Sequence, residues 1–310
     1  MSEFAQWYQE KSGELLQSIN TRTNSEIQKF IEEIENMERF DISFLQVGYG
    51  FAPEPITPES YIARGPYGKP EMYQQEMDGA VERGWLDQVG EGQYTLSEKG
   101  KELVERFFTM GNTQFAELPT LSDSETERLV ELLQKLVNKA DTLPEGFQKP
   151  TFIIGKKLEP STDAPLMLRL RRYLVDMAYF REDVHIAAWQ PYSVNGQVWE
   201  TLTLVWREEA GTATELAEQL SEYRNYDEAS YAAVLKDLTS MGWITQENGK
   251  YVASDEGKRI RQEGEDRTDE YYGAPFEVFS DSEKDELKSL MEKMAEVLKP
   301  PEEEEETSGE

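Results

Sequence analysis

The chain has 310 residues, which is enough for two domains of ordinary size. It carries 62 Asp and Glu against 32 Lys and Arg, a formal net charge of −30. This acidity opposes non-specific attraction to nucleic acid or anionic lipid, because those polyanions are repelled. Hydrophobic residues make up 38% of the chain and aromatic residues 11%, enough for packed cores, which argues against disorder throughout.

Cysteine is absent and histidine occurs once, as His185. These counts exclude disulfide bonds, thiolate zinc sites, iron–sulfur clusters and histidine-rich metal sites, so we expect no metal and no cofactor. No apolar run approaches the roughly 20 residues of a membrane span. The N-terminal residues lack the basic-then-apolar order of a secretory signal. We therefore expect a cytoplasmic protein with no membrane partner.

An internal repeat is the most informative pattern in the sequence. Its landmarks recur at an offset of 157 or 158 positions: Gly84-Trp85-Leu86 with Gly242-Trp243-Ile244, 92–101 with 249–258, and 121–125 with 279–283. Because these landmarks keep their order and nearly their spacing, we predict an internal duplication.

The predicted organisation has two units joined by a connector. The units cover residues 1–145 and 165–298. The connector, 146–164, contains several prolines and is expected to be ordered but not helical. Residues 299–310 are predicted to form an acidic disordered tail, because two prolines precede a run of five glutamates that repel one another.

In the first unit, helices are predicted to surround a β-hairpin. The predicted elements are, in chain order, a long helix over 23–40, a short helix from Thr57-Pro58, a longer helix from Lys69-Pro70, a hairpin over 85–96, a helix from Ser97 and a closing helix capped by 122–125.

The second unit repeats this order. The predicted elements are a short helix over 212–220, a longer helix over 227–241, strands 243–245 and 250–252 around the turn Asn248-Gly249, a helix from Ser254 and a closing helix capped by 280–283. Gly242 is expected to end the longer helix in the left-handed conformation. The sequence thus predicts a mainly α protein with small β-hairpin wings (α+β), built from two tandem winged helix-turn-helix units with long flanking helices and pseudo-twofold symmetry.

The segment YAAVLKDLTSMGWITQENGKYVASDEGKRI, residues 231–260, resembles the recognition helix and wing of MarR- and PadR-type bacterial transcriptional regulators. The segment 94–100 (YTLSEKG) is similar to the helix start after the wing in these families, and 251–257 is similar more loosely. Both closing helices resemble the C-terminal dimerisation helices of MarR proteins. The resemblance implies that one chain forms the arrangement those proteins reach as homodimers. We expect a monomer that acts as a pseudo-dimer, with a weak dimer as the alternative.

The predicted recognition helices carry few of the side chains that contact DNA. A winged helix-turn-helix places its second helix in the major groove, where Arg, Lys, Asn and Gln contact base edges. The candidate DNA contacts are Gln74, Gln75, Lys250, Lys258, Arg259 and Arg261. Most other polar residues of the two helices are acidic. Two functions stay open: a regulator that contacts DNA, and an acidic protein-interaction module or DNA mimic that has lost DNA binding.

Two further segments are candidates for ligand binding. The basic cluster Arg169, Arg171 and Arg172 either pairs with nearby carboxylates or forms a pocket for an anionic ligand or nucleic acid. An aromatic segment supplies the other candidates: His185, Trp189, Tyr192, Trp199 and Trp206. In MarR-type proteins the crevice between the winged lobe and the dimerisation helices holds small aromatic effectors, and the resemblance places this segment there. The alternative is that these rings fill the core between helical layers.

Catalytic motifs are absent from the sequence. It has no second histidine, no Gly-x-Ser-x-Gly elbow, no phosphate-binding Gly-rich loop and no His-Glu-x-x-His pair. We expect a non-enzymatic, regulator-like binding protein. Its candidate partners are DNA, another protein and a small aromatic ligand.

Overall fold

The protein is mainly helical, with two small antiparallel hairpins. A computed structural model describes residues 1–38, 40–143 and 147–299. The elements of the first half are α1 (Glu3–Glu32), α2 (Asp41–Phe51), α3 (Pro58–Ile62), α4 (Pro70–Glu82), β1 (Leu86–Gly90), β2 (Gln93–Leu96), α5 (Glu98–Ala116) and α6 (Asp123–Thr142). The remaining elements are α7 (Pro150–Lys157), α8 (Leu166–Trp189), α9 (Gly196–Trp206), α10 (Ala213–Arg224), α11 (Glu228–Ser240), β3 (Ile244–Glu247), β4 (Lys250–Ala253), α12 (Asp255–Gly273) and α13 (Asp281–Leu298).

The order of elements from α1 to α6 recurs from α8 to α13. In each half, β-strands that follow Trp85 or Trp243 pair as an antiparallel hairpin, which confirms both predicted hairpins. In the second hairpin, Asn248 and Gly249 have φ angles of 49° and 83°, as the predicted two-residue turn requires.

The two hairpins are closed by the same pair of contacts. Gly84 and Gly242 end the preceding helices with φ angles of 79° and 75°, a left-handed conformation that glycine adopts at little cost. Ser97 and Ser254 cap the following helices and donate their hydroxyls to the carbonyls of these glycines at 2.6 Å. The predicted end of α11 at Gly242 is therefore confirmed.

Three hydrophobic clusters form the cores. The largest lies between the two halves and contains the apolar faces of α1, α6, α8 and α13. It buries both predicted stripes of the closing helices: Leu129, Leu132, Leu133 and Leu136, with Leu287, Leu290, Met291 and Met294. Each of the other clusters lies beneath one hairpin. The two halves are thus joined by a shared helical layer.

Reciprocal ion pairs link α6 to α13. Lys135 pairs with Glu283 at 2.6 Å, and Lys293 pairs with Glu125 at 2.7 Å. Glu283 and Lys293 each lie 158 positions after Glu125 and Lys135. Each pair is therefore the counterpart of the other, as in a contact between two equivalent copies.

The connector is partly helical, contrary to prediction. α7 starts at Pro150, and the carboxylate of Asp183 accepts the backbone N–H groups of Thr151 and Phe152 at 3.1 and 2.8 Å. Asp183 thereby satisfies two of the donors that a helix N-terminus leaves free. The predicted connector residue Gly146 and the tail residues 300–310 lie outside the described residues.

The first long helix also differs from prediction. It begins at Glu3 rather than near residue 23, and it ends at Glu32. Its N-terminal part carries Phe4, Tyr8 and Leu15, which are buried in the central core. None of the described helices combines the length and apolar character that crossing a membrane requires.

Candidate nucleic-acid interface

α11 is the second helix of a helix pair, and its N-terminal cap and its buried face fix its position. The side chain of Asp227 accepts a hydrogen bond from the backbone N–H of Ser230 at 2.9 Å, which fixes the first turn. The side chains packed into the core are those predicted: Tyr231, Val234, Leu235 and Leu238. The opposite face, which includes Lys236, is exposed. This face is therefore open to a partner.

The exposed cations of α11, β4 and the start of α12 divide into free and paired groups. Lys236 and Lys258 are exposed and form no ion pair with any described residue. Lys250 pairs with Glu215, and Arg259 pairs with carboxylates of its own helix. A phosphate would have to displace a carboxylate to reach Lys250 or Arg259, but not to reach the two free lysines.

Arg261 is buried, whereas the predicted DNA contact requires it at the surface. Its side chain is 1% exposed and pairs with Glu265. The guanidinium carbon lies 4.5 Å from the ring centroid of Trp199 and 5.0 Å from that of Trp206. Arg261 lies on the inward side of α12, so burial among these rings removes it from the surface.

The outer face of α4 is acidic. Its exposed polar side chains include Glu71, Gln75, Asp78 and Glu82. Gln74, the other predicted contact on this helix, donates to Asp78 at 3.0 Å and to Tyr94, which holds it against the hairpin. Arg83 points inward and donates to the buried carboxylate of Asp41 at 2.7 and 2.9 Å. Its charge therefore does not offset the acidic face.

The turns that precede α4 and α11 contact each other. The backbone N–H of Lys69 donates to the carbonyl of Arg224 at 2.8 Å. The hydroxyl of Tyr226 lies 3.5 Å from the carbonyl oxygen of Gly68, its counterpart 158 positions earlier. This contact places the N-terminal ends of α4 and α11 side by side.

The predicted ligand residues lie together, but as part of a core. The ring centroid of Trp199 lies 5.9 Å from that of Trp189 and 5.6 Å from that of Tyr192, and both pairs are stacked. Trp189 and Trp199 are 3% and 1% exposed. Trp206 joins this group through Arg261. The arrangement favours core packing over a ligand site.

His185 lies at the edge of these rings. Its Nδ1 is 3.3 Å from the hydroxyl of Thr268. Burial lowers the pKa of His185 to about 4, so the imidazole is neutral at pH 7. A neutral, hydrogen-bonded imidazole fits a structural role.

The three arginines of the basic cluster on α8 lie in three different environments. Arg169 donates to the carbonyl of Thr162 at 3.2 Å. Arg172 pairs with the buried Asp176 at 2.7 Å, as expected for pairing with a carboxylate. Arg171 forms no ion pair with a described residue, and its guanidinium carbon lies 5.5 Å from the ring centroid of Phe115.

Comparison with known proteins supports a helix-turn-helix domain in the second half. Residues 176–300 match the model of a helix-turn-helix family. This match supports a DNA-binding domain of the general helix-turn-helix class, and it includes α10, α11 and the hairpin β3–β4. No curated protein and no solved structure matches the chain.

Nothing in the sequence marks the residues of α9 that pack against the two turns. A Cβ on Gly196 would lie 2.0 Å from the carbonyl oxygen of Pro66, so only glycine fits this approach. Arg224, whose carbonyl accepts from Lys69, is held by Glu200 at 2.7 Å. These partners are far apart in sequence, and no local pattern signals them.

Proposed function

We propose that the protein is a helix-turn-helix regulator whose second half contacts DNA through α11 and the hairpin β3–β4. One observation carries this proposal: the outer face of α11 is uncovered and carries Lys236, and Lys258 lies exposed on α12 after the hairpin, and neither lysine forms an ion pair with a described carboxylate. Free lysines near an exposed recognition helix are suited to phosphate contact. The family match over the same residues supports this assignment.

We further propose that the chain is a fused pair of winged helix-turn-helix units of the MarR type. The recurring order of elements and the reciprocal ion pairs between α6 and α13 support this proposal. In a fused pair the two closing helices associate within one chain, so the protein acts as a monomeric pseudo-dimer.

A mobility-shift assay with a pool of genomic fragments, run across a series of salt concentrations, tests DNA contact. We expect a shift at low salt that weakens as salt rises. The double variant Lys236→Gln/Lys258→Gln should abolish it. Lys101→Gln is the matched control, because Lys101 occupies the position of Lys258 in the first half and pairs with Glu98. Absence of a shift at the lowest salt would overturn the proposal.

The acidic face of α4 favours a second function, binding of a basic protein. Because Arg83 turns inward to Asp41, carboxylates dominate this face. The variant Glu71→Gln/Glu82→Gln should then lose a basic protein that the wild type captures. Glu102→Gln/Glu105→Gln, on the exposed side of α5, should retain it. Equal capture by both variants would exclude α4 as the contact.

A further inference from the structure

The outer face of α11 consists mostly of alanine. Because an α-helix has 3.6 residues per turn, the side chains opposite its buried stripe fall on one outer line. The exposed residues of this line are Ala229, Ala232, Ala233, Lys236 and Ser240. Apart from one cation, the face that the proposed function places against DNA is therefore short and largely apolar.

The polar side chains on and beside this line are mostly engaged within the protein. The hydroxyl of Ser240 donates to the carbonyl of Lys236 at 2.9 Å. At the edge of the face, the carboxylate of Glu228 accepts a hydrogen bond from Thr214 at 3.1 Å. Asp237 follows Lys236 by one residue, so its side chain points about 100° away from that of the lysine. Among the described residues, Lys236 is thus the one side-chain donor of the outer line without a partner.

The corresponding face of α4 has different chemistry. Three of the four buried positions of α11 are also buried in α4, 158 residues earlier. At the positions of the three alanines and Lys236, α4 has Glu71, Gln74, Gln75 and Asp78. The buried faces of the two helices therefore largely match, whereas their outer faces do not. The alanines are not required by the packing that the two halves share.

The four bases differ in what they present in the major groove. Guanine, adenine and cytosine present hydrogen-bonding groups there, whereas thymine presents one acceptor and an apolar C5 methyl group. A polar base edge placed against alanine loses water without gaining a hydrogen bond, which is unfavourable. A thymine methyl group placed there instead forms an apolar contact. The outer line of α11 is therefore complementary to thymine.

We propose that α11 recognises thymine through its C5 methyl group, with Ala229, Ala232 and Ala233 as the contacting residues and Lys236 on a nearby phosphate. This inference rests on the proposed DNA contact by the second half. Ala229 and Ala233 are separated by about 6 Å along the helix, so the contacted thymines lie within roughly two or three adjacent base pairs. Burial of each methyl group strengthens binding by about fourfold.

Fluorescence anisotropy with the full chain and one duplex selected from the genomic pool tests this inference. The duplex is compared with a copy in which uracil replaces thymine, which removes the methyl groups but keeps base pairing and phosphates. We expect the uracil duplex to bind at least about tenfold more weakly, as the loss of two methyl contacts requires. A third copy with 5-bromouracil, which has an apolar substituent of similar size at C5, should recover most of the affinity. The salt dependence should be the same for all three duplexes, because their phosphate contacts are unchanged.

The variant Ala232→Gln/Ala233→Gln assigns the preference to the alanines. It places the side chains of Gln74 and Gln75 of α4 at the equivalent positions of α11. Both alanines are exposed and glutamine is a good helix former, so the variant should unfold at the same temperature as the wild type. We expect it to bind the thymine and uracil duplexes with affinities that differ by less than about twofold. Ala116→Gln, at the exposed end of α5, is the matched control and should keep the wild-type preference.

The possible failures are distinguishable. If the wild type binds the thymine and uracil duplexes equally, methyl recognition is overturned and DNA contact stands. If the Ala232→Gln/Ala233→Gln variant keeps the full preference for thymine, the assignment to these alanines is overturned. If no duplex binds at the lowest salt concentration, the proposed function is overturned and the inference with it.

Discussion

Arg128 on α6 and Glu286 on α13 form two hydrogen bonds, of 3.0 and 2.9 Å, and stand 158 positions apart. The same offset separates the Gly-Trp steps that precede the two hairpins. Near a twofold axis, a residue contacts its own equivalent in the other copy, whereas pairs farther from the axis occur twice. Lys135–Glu283 and Lys293–Glu125 are such a repeated pair. The contact between Arg128 and Glu286 is therefore the one expected near the axis of a duplicated chain.

Reversing charges at this contact tests whether it joins the halves. Arg128→Glu should destabilise the protein, and adding Glu286→Arg should restore most of the loss. Both side chains are partly exposed, so we expect a coupling energy of only about 0.5–1 kcal/mol. A double-mutant cycle in urea unfolding measures it, with the Lys101–Glu98 pair inside α5 as the control. If the double variant recovered no unfolding free energy, the Arg128–Glu286 pair would contribute nothing to the contact between the two halves.

The helix starts after the hairpins tolerate only glycine. A Cβ on Gly257 would lie 1.9 Å from the carbonyl oxygen of Trp243, and one on Gly100 would lie 2.2 Å from that of Trp85. Gly257→Ala should therefore destabilise the second half by about 1–3 kcal/mol. Gly13→Ala in α1 meets no atom within 4 Å and should stabilise by about 0.5–1 kcal/mol. Thermal unfolding measures both, and equal effects of the two substitutions would contradict the close approach.

The turn before α4 packs closely against Gly196 at the start of α9. Gly196→Ala should displace residues 66–69 and break the hydrogen bond from the Lys69 N–H to Arg224, because its Cβ would overlap the carbonyl of Pro66. Hydrogen exchange of the peptide that contains Lys69 should become faster. Gly65→Ala, in the same segment but with no atom within 4 Å, should leave exchange unchanged. If exchange of the Lys69 peptide stayed slow in Gly196→Ala, the contact between the turns would not require glycine at position 196.

Two buried groups give opposite contributions to stability in acid. Burial lowers the pKa of His185 to about 4 from 6.5, so the unfolded chain binds this proton first and stability falls as the pH decreases through this window. Burial raises the pKa of Asp176 to about 6 from 3.8, despite the attraction of Arg172. The folded chain therefore binds this proton more tightly, and the resulting stabilisation is lost as the pH rises from 3.8 to about 6. The two windows overlap, so the wild-type profile alone does not separate them.

The variant His185→Gln isolates the histidine contribution. Relative to the wild type, the variant should gain roughly 2–3 kcal/mol in unfolding free energy between pH 6.5 and pH 4, because it no longer has a proton to bind in the unfolded state. Urea unfolding at a series of pH values measures this difference. A difference that stays constant with pH would show that His185 titrates normally in the folded protein.

Features with local signals were predictable from the sequence. Gly242 ends α11, Asn248-Gly249 forms the hairpin turn, and Ser280 caps α13 with Glu283 in a capping box. Each of these depends on a backbone conformation or a hydrogen bond within a few residues. The apolar stripes of the closing helices were predictable for the same reason, since helical spacing alone fixes their face.

Features that depend on distant partners were not predictable. The start of α7 needs Asp183, more than thirty residues away, to accept its N–H groups. Arg261 has the sequence setting of a surface cation, but the rings of Trp199 and Trp206 enclose it from α9. The approach of the two turns joins Lys69 to Arg224 across the halves. Pattern and composition carry no information about such contacts.

The salt dependence of DNA binding tests the contact made by α11 and its hairpin most directly. Fluorescence anisotropy with a labelled duplex selected from the genomic pool gives the slope of log K against log salt concentration. Each phosphate contact contributes about 0.9 to the magnitude of that slope. Lys236→Gln and Lys258→Gln should each reduce it by about 0.9, and Lys101→Gln should leave it unchanged. Identical slopes for all four proteins, or no binding at the lowest salt, would contradict DNA contact by the second half.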